Sequence, residues 1–338
     1  MFLTEELNKR LSEITTIHSL EELEHKTGEV HAARLPIGSL PDCTEFSIPV
    51  LVGEGSEPGP TLLLTALIHG VEIGGYDVIR RLIREEIDFK KVRGRVVAVP
   101  IVNPFALAVS NRFTPQDSAD LNRVFPGSAN GTLSHRIAHT LVEKIVKHAD
   151  YVVDYHSCNP PSCVFTIVDA EGSAEVQGKS MGMAQAFGAI TVAPSDKTQG
   201  TFSGYLSSVG KPVITPELVF SRRFDQLSSD AGVIGTLNVM KYLGMIDGQP
   251  QELLGTPPFK RGLRYTALFA KTGGFIYFSK KVTDHVEKDE VIATIRNPWG
   301  EVVEEVRAPV TGMIIAYPMA GNQALTTGDK IAYFTSDF

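Results

Sequence analysis

The sequence predicts an α/β fold: a mixed β-sheet covered by helices on both faces, followed by a small all-β, barrel-like domain. Three observations predict it. Short apolar runs of strand length alternate with helical patterns over most of the chain. A segment rich in proline and glycine, 249–262, then marks a boundary. Beyond this boundary the sequence consists of short β-strand patterns and turns, and it contains a repeat. Segment 272–278 resembles 311–317, and segment 286–295 resembles 325–334.

Composition indicates a soluble intracellular protein. Of the 338 residues, 43% are hydrophobic and 21% are charged, as in ordinary globular chains. The net charge of −7 argues against a surface for nucleic acid or an anionic membrane. No apolar run reaches the roughly 18 residues of a membrane span, and the amino terminus does not resemble a secretory signal. Three cysteines are a sparse, odd set that suits reduced thiols in a cytoplasm.

Three regions are predicted. Residues 1–30 form a helical extension with Leu3, Leu7, Leu11 and Ile14 on one stripe, which could cover the domain or a partner subunit of a homo-oligomer. A larger α/β domain is predicted over 31–248 and a β-rich domain over 249–338. Within the α/β domain, strands are expected at 31–37, 44–53, 58–69, 95–102, 151–157, 164–170, 189–194 and 211–219. Helices are expected from Ile73 to about Glu86 and at 134–148, 175–188 and 230–243. The region 103–133 lacks periodicity and is expected to be a long, functional loop.

The stretch TLLLTALIHGVE, 61–72, contains the first candidate site residues. Its apolar run is a strand buried on both faces, which places His69 at the strand end and Glu72 at the start of the next helix. Ligands bind at that edge of open α/β sheets. An imidazole and a carboxylate three residues apart can reach one metal ion. Alone, this pair is a weak signal.

His156 ends another predicted strand, so it can converge with His69 and Glu72 as a third metal ligand. Asp154 lies on the same face of that strand and could accept the outer N–H of a ligand histidine. The alternatives are a core histidine bonded to backbone and a solvated aspartate. His135 and His139 have chelating helical spacing but lack the adjacent glutamate of a protease helix, so we interpret them as helix-face histidines.

Glu217 lies at the end of the last apolar strand, at the same edge. A glutamate there could accept a proton from a metal-activated water and return it to a leaving amine. The long loop adds Arg112, Asn122 and Arg123, which are suited to binding a carboxylate or a carbonyl, and Asp120, which could orient the loop. Loop-stabilising ion pairs are the alternative for these residues. Cys158 and Cys163 lack a second pair and are interpreted as buried or loop thiols.

The ordered motifs HGVE, DLNRVFPG, DYH and PEL, over roughly 45–245, resemble the succinylglutamate desuccinylase and aspartoacylase family, of the zinc carboxypeptidase-like superfamily. Size and the longer amino terminus are closer to bacterial deacylase-like members, including those acting on N-acetyl-diaminobutyrate. The resemblance implies a zinc carboxypeptidase-like fold and one Zn²⁺ per chain held by His69, Glu72 and His156. It also implies Glu217 as general acid/base, with Arg112, Asn122 and Arg123 holding the substrate carboxylate and polarising the scissile carbonyl.

The carboxy-terminal segment resembles a biotinyl/lipoyl-type barrel. Its central turn reads Asn297-Pro298-Trp299-Gly300, without the lysine that a carrier domain presents. We therefore expect no covalent cofactor, and instead a lid, a substrate entrance or a subunit contact.

The function expected from these residues is zinc-dependent removal of an acyl group from an N-acyl amino acid or related small amine. One alternative is a zinc carboxypeptidase acting on a small peptide, because both substrates offer a carboxylate near an amide. Another is a non-catalytic binding protein. Two histidines and a carboxylate also suit iron or manganese, and only the resemblance favours zinc.

Overall fold

The computed structural model of the protein describes residues 14–23, 26–194, 200–258, 263–318 and 323–336. The strands are β1 (Thr15–Thr16), β2 (Val30–Ser39), β3 (Glu45–Glu54), β4 (Glu57–Ala66), β5 (Arg93–Val99), β6 (Tyr151–Ser157), β7 (Phe165–Ile167), β8 (Ile190–Pro194), β9 (Val213–Leu218), β10 (Leu263–Phe269), β11 (Gly274–Phe278), β12 (His285–Val286), β13 (Val291–Arg296), β14 (Val302–Arg307), β15 (Gly312–Ala316), β16 (Ala324–Leu325) and β17 (Lys330–Ser336). The α-helices are α1 (Gly74–Arg81), α2 (Pro104–Ala108), α3 (Leu133–Lys144), α4 (Ala174–Phe187), α5 (Phe202–Ser208) and α6 (Gln226–Tyr242).

One large sheet runs through both parts of the chain, in the order β1-β2-β3-β5-β4-β6-β9-β7-β8-β10-β17-β15-β12. Its centre, β5, β4, β6 and β9, is parallel. Strands β3 and β7 join that centre antiparallel. The predicted mixed sheet is confirmed.

Helices cover both faces of the sheet around its central strands. On one face Leu64 packs in a core with Ile79 of α1, Phe187 of α4 and Val239 of α6. On the other face lie Leu63 and the buried side chains of α3 and α5, among them Ile137, Leu141, Phe202 and Leu206. Because successive residues of β4 enter opposite cores, its apolar run is unbroken, as expected for a strand buried on both faces.

The winding of the chain reverses at β4. From β4 the chain passes through α1 to β5 on one side, and then returns through α2 and α3 to β6 on the other side of β4. Such a switch point leaves a crevice beyond the carboxyl ends of the strands, where ligands of α/β proteins bind. His69 and His156 are the residues that the chain places there.

Some elements differ from the sequence prediction. The region 103–133 contains α2 and a 3₁₀ turn, Leu121–Arg123, and α5 was not anticipated. Strand β5 ends at Val99, and Asn103 caps α2 by accepting a hydrogen bond from Ala106 N (3.1 Å). At the amino terminus, β1 and a 3₁₀ turn at Leu20–Glu22 are present, and the stripe expected at Leu3, Leu7 and Leu11 lies outside the described residues.

The repeat in the carboxy-terminal region is visible in its strand pairing. Two four-stranded layers, β10-β17-β15-β12 and β14-β13-β11-β16, enclose a core that contains Ile276, Ile295, Ile314 and Phe334. If β10, β11, β12 and β13 are replaced by β14, β15, β16 and β17, respectively, and the reverse, the strand order of one layer becomes that of the other. The region is therefore a small pseudo-twofold β domain, as predicted, but one of its layers continues the large sheet through the parallel pair β8–β10.

All three cysteines are free thiols: Cys158 and Cys163 are buried, and Cys43 is exposed. Among the helices of the described ranges, none is both long and apolar enough to cross a bilayer.

The close packing of α1 on the sheet gives a test of the fold. A Cβ added to Gly75 of α1 would lie 2.5 Å from Tyr155 Cβ and 2.8 Å from Ala66 Cβ, whereas Gly178 of α4 has open space. We expect Gly75→Ala to lower the free energy of unfolding by about 1–3 kcal/mol through overpacking. The matched change Gly178→Ala should raise it by up to about 1 kcal/mol, because alanine is the better helix former. Urea unfolding of both variants measures this, and equal shifts would contradict the packing described.

Candidate active site

The turn that carries the candidate metal ligands His69 and Glu72 begins where β4 ends, three residues before His69. Leu67 takes a left-handed conformation (φ 59°), and the chain then turns tightly so that Glu72 N donates to His69 O (3.1 Å). Gly70 is required in this turn, because a Cβ there would lie 2.0 Å from the carbonyl carbon of Ala106. The turn is thus pressed against α2, which holds His69 and Glu72 on the same side.

Strand β6 brings His156 to the turn, since β4 and β6 are parallel neighbours. The two imidazole rings have centroids 5.0 Å apart. Glu72 lies between them: its Oε1 is 2.9 Å from His69 Nδ1, and its Oε2 is 2.8 Å from His156 Nδ1. All three side chains are buried, and their candidate ligand atoms lie within 4.8 Å of one another.

These three residues fit a divalent metal ion. Burial alone would favour the neutral acid, but the positive charges of His69 and His156 hold the pKa of Glu72 below its usual range. Glu72 Oε2 is nevertheless buried without a hydrogen bond of good geometry. A buried carboxylate with one oxygen toward each of two imidazole nitrogens is the donor set of zinc and of several transition metals. Metal binding would replace the protons that the site otherwise holds.

The outer nitrogen of His156 is held by Asp154, two residues earlier on the same face of β6. Asp154 Oδ2 lies 3.0 Å from His156 Nε2, and Thr65 Oγ1 donates to Asp154 Oδ1 (2.7 Å). Burial disfavours the imidazolium, but the charge of Asp154 and then that of Glu72 raise the pKa of His156 well above its usual value. This carboxylate therefore fixes the ring orientation that presents Nδ1 to Glu72.

Asp120 does the same for His69, a contact that sequence reasoning missed. Its Oδ1 lies 3.1 Å from His69 Nε2 and accepts a hydrogen bond from Asn122 N (2.9 Å). Its Oδ2 accepts from Arg112 Nε (3.0 Å) and pairs with Arg112 Nη2 (2.9 Å). Burial favours protonation of Asp120, but the hydrogen bond and charge of His69 outweigh it and lower the pKa. No periodicity in 103–133 signals this contact, because Asp120 lies in an irregular stretch between α2 and the 3₁₀ turn.

Arg112 faces the metal-binding residues with its remaining nitrogen. Its Nη1 lies 3.4 Å from His69 Nδ1 and 3.9 Å from Glu72 Oε1. Two of its three nitrogens, Nε and Nη2, thus contact Asp120, and the third, Nη1, points toward the site.

Asn122 and Arg123 follow Asp120 in the same 3₁₀ turn. Asn122 Oδ1 accepts a hydrogen bond from Phe202 N (2.7 Å), which turns its side-chain NH₂ away from α5. The Arg123 side chain is exposed, and its Nη1 donates to Asn122 O (2.6 Å). Asn122 thus adjoins Asp120, the residue that contacts His69, whereas the Arg123 side chain lies on the surface.

Glu217 lies beside His156 across the sheet, because β6 and β9 pair in register at these two residues. Burial raises the pKa of Glu217 to about 7, with the neighbouring charge of Glu72 acting in the same direction and the histidines against it. A carboxyl group with that pKa can both accept and donate a proton near neutral pH.

The other candidate ligands lie elsewhere. His135 Nδ1 is hydrogen-bonded to Thr132 Oγ1 (3.0 Å) at the start of α3. Burial raises the pKa of the Cys158 thiol well above its usual value. Within the described ranges, the side chains close enough to bind one metal together are His69, Glu72 and His156.

Comparison with known proteins gives related sequences. Residues 58–243 match the succinylglutamate desuccinylase/aspartoacylase catalytic domain. An N-alpha-acetyl-L-2,4-diaminobutyric acid deacetylase from Halomonas elongata is 28% identical over 300 residues, which cover 84% of each chain.

Solved structures share the whole architecture. A succinylglutamate desuccinylase/aspartoacylase from Rhodobacter sphaeroides superposes with a TM-score of 0.81 at 25% identity, over 94% of this chain and 99% of that one. The product-bound ectoine utilization protein EutE (DoeB) from Ruegeria pomeroyi has a TM-score of 0.80 at 24% identity, over 93% and 97% of the two chains. This second likeness concerns the fold.

The contact between Asp154 and His156 can be tested by metal titration. We expect Asp154→Asn to weaken binding of a divalent metal by about 10- to 100-fold, because the ring of His156 loses the charge that orients it. The dissociation constants for Zn²⁺, Mn²⁺ and Fe²⁺ would be measured on chelator-treated protein. Asp247→Asn is the matched control, since Asp247 pairs with Arg93 on the surface. An unchanged affinity in Asp154→Asn would contradict the assigned role.

Proposed function

Because the chain belongs to the succinylglutamate desuccinylase/aspartoacylase family, we propose that it is a metal-dependent deacylase that hydrolyses the amide bond of an N-acyl amino acid or related small amine. The observation that carries the proposal is the convergence of His69, Glu72 and His156 with a second glutamate, the half-buried Glu217, in register beside His156. The relative from Halomonas elongata, a deacetylase of an N-acetylated diamino acid, supports the reaction class.

We propose one Zn²⁺ per chain, held by His69, Glu72 and His156. When bound, it would supply Lewis-acid chemistry, which makes a water molecule more acidic and polarises the scissile carbonyl. Each imidazole is held at the nitrogen that faces away from Glu72. Asp154 contacts His156 Nε2, and Asp120 contacts His69 Nε2. This support keeps both Nδ1 atoms aimed at the same point.

Glu217 moves the proton in the proposed mechanism. Its carboxylate takes a proton from the attacking water and returns it to the nitrogen of the departing amine, so one group serves as base and then as acid. Burial keeps its pKa near neutrality, which suits both directions of transfer. The amide bond breaks as the amine leaves, and the acyl group becomes a free carboxylate.

The loop binds and polarises the substrate. Arg112 Nη1 is within reach of the cluster and is suited to the oxygen on which negative charge develops. Asn122 offers its NH₂ group, because its oxygen is already bonded to Phe202 N. The exposed guanidinium of Arg123 is free to bind a substrate carboxylate.

The reaction class is tested by amine release. The panel pairs N-acetyl, N-formyl and N-succinyl derivatives of aspartate, glutamate and diaminobutyrate with free dipeptides, each with a chelator-treated control. We expect chelator-sensitive release from at least one acylated amine. Cleavage of dipeptides alone would favour a carboxypeptidase, and no release from either set would reject the proposed function.

The role of Glu217 has its own test. We expect Glu217→Gln to bind metal normally and to lower kcat by about 10²- to 10⁴-fold, because the amide can neither accept nor return the proton. Metal content and kcat would be measured together. Glu143→Gln, an exposed position on α3, is the control. Near-normal turnover in Glu217→Gln would remove this residue from the mechanism.

A further inference from the structure

The loop of residues 219–225 connects β9, the strand that carries Glu217, to α6. Both of its ends are fixed by Ser228 near the start of α6. Val219 N donates to Ser228 Oγ (3.1 Å), and Ser228 N donates to Asp225 Oδ2 (2.9 Å). The position of the 219–225 loop is therefore tied to the strand that carries Glu217.

Arg222, at the centre of this loop, is bound through its backbone to the turn that carries His69 and Glu72. Its N–H donates to Val71 O (2.7 Å), and Val71 is the residue directly before Glu72. Arg222 takes a left-handed conformation (φ 65°), which is unfavourable for a residue with a Cβ. Such conformations persist where the surrounding contacts hold them, and they concentrate at functional sites.

The Arg222 side chain reaches a third segment, the stretch just after α2. Its Nη1 donates to Ser110 O (3.0 Å) and to Ser110 Oγ (3.2 Å). Ser110 is itself left-handed (φ 49°) and lies two residues before Arg112, whose Nη1 is 3.4 Å from His69 Nδ1. One arginine therefore links the loop that follows Glu217 to the turn of the candidate metal ligands and to the stretch that places Arg112.

In the proposed mechanism Glu217 and Arg112 act on the same substrate, but they come from different segments of the chain. A misplacement of about 1 Å in such a group can lower a rate by about 100-fold. We propose that Arg222 is a positioning residue, which holds Arg112 in place relative to Glu217 and acts on the reaction through Arg112. This inference rests on the proposed deacylase function.

Substitutions at position 222 separate the side-chain contact from the backbone contact. We expect Arg222→Met to lower kcat by about tenfold through misplacement of Arg112. Affinity for Zn²⁺ should stay within about twofold, because the backbone bond to Val71 remains and the ligands keep their support. Arg222→Lys should recover part of kcat, since its ammonium can donate to Ser110 O. Arg223→Met is the matched control, because the exposed Arg223 packs over the ring of Phe220 (3.8 Å).

Arg222→Gly distinguishes positioning from stability. Glycine accepts the left-handed conformation without a steric penalty, so this variant should melt at a higher temperature than Arg222→Met. It should nevertheless lose as much kcat, because the guanidinium is absent from both variants. A kcat that follows the melting temperature across the three substitutions at position 222 would contradict a positioning role.

A double-mutant cycle tests whether Arg222 acts through Arg112. The values of kcat would be measured for Arg112→Met, Arg222→Met and the variant that carries both changes. We expect Arg222→Met to lower kcat by no more than about twofold once Arg112 is replaced, since the effects of coupled residues are not additive. The same loss in both backgrounds, or a loss no larger than that of Arg223→Met, overturns the proposal.

Amide hydrogen exchange reports the link without turnover. We expect faster exchange over residues 108–113 in Arg222→Met than in the wild type, and no such change in Arg223→Met, because the bonds to Ser110 are lost only in the first variant. Unchanged exchange there would reject the Arg222 link itself. Absence of amine release by the wild type would instead reject the deacylase function, and with it the positioning role.

Discussion

The contact on which the rest of the site depends is the carboxylate of Glu72 between two buried imidazoles. It requires the carboxyl ends of β4 and β6 to be neighbours, with His69 in a turn and His156 still on a strand. The parallel pairing at the switch point provides this arrangement, and α2 presses the turn into position through Gly70. A buried carboxylate is costly unless it is paired. Here the two histidines pair it, and each histidine is in turn held by an aspartate.

Outside α2 and the 3₁₀ turn, the loop 103–133 is ordered by side-chain hydrogen bonds. Asp117 accepts from Ser134 N and Thr132 Oγ1 (both 2.7 Å), and Asn103 Nδ2 donates to Thr114 Oγ1 (2.9 Å). Side chains of this kind bond readily to nearby backbone and compete with helices and strands. The loop can therefore place Asp120 and Arg112 at His69 without any periodic pattern in its sequence.

The carboxy-terminal domain is internally symmetric, but it is also part of the large sheet. Its two layers are related by a pseudo-twofold axis, as in a free-standing small domain, yet one layer is the continuation of the catalytic sheet. The domain is therefore joined by strand pairing to the sheet that carries His156 and Glu217.

Much of this architecture is encoded locally. The unbroken apolar run before His69, the ends of the strands at His156 and Glu217, the helices α1, α3, α4 and α6 and the β repeat were predictable, because period and strand length are properties of neighbouring residues. Metal-ligand candidates could be named for the same reason: they stand where strands end. Tertiary structure alone decided that Asp120 supports His69 and that Arg112 is bound to Asp120. These contacts are made by residues of an irregular loop, where no sequence spacing records which side chains meet.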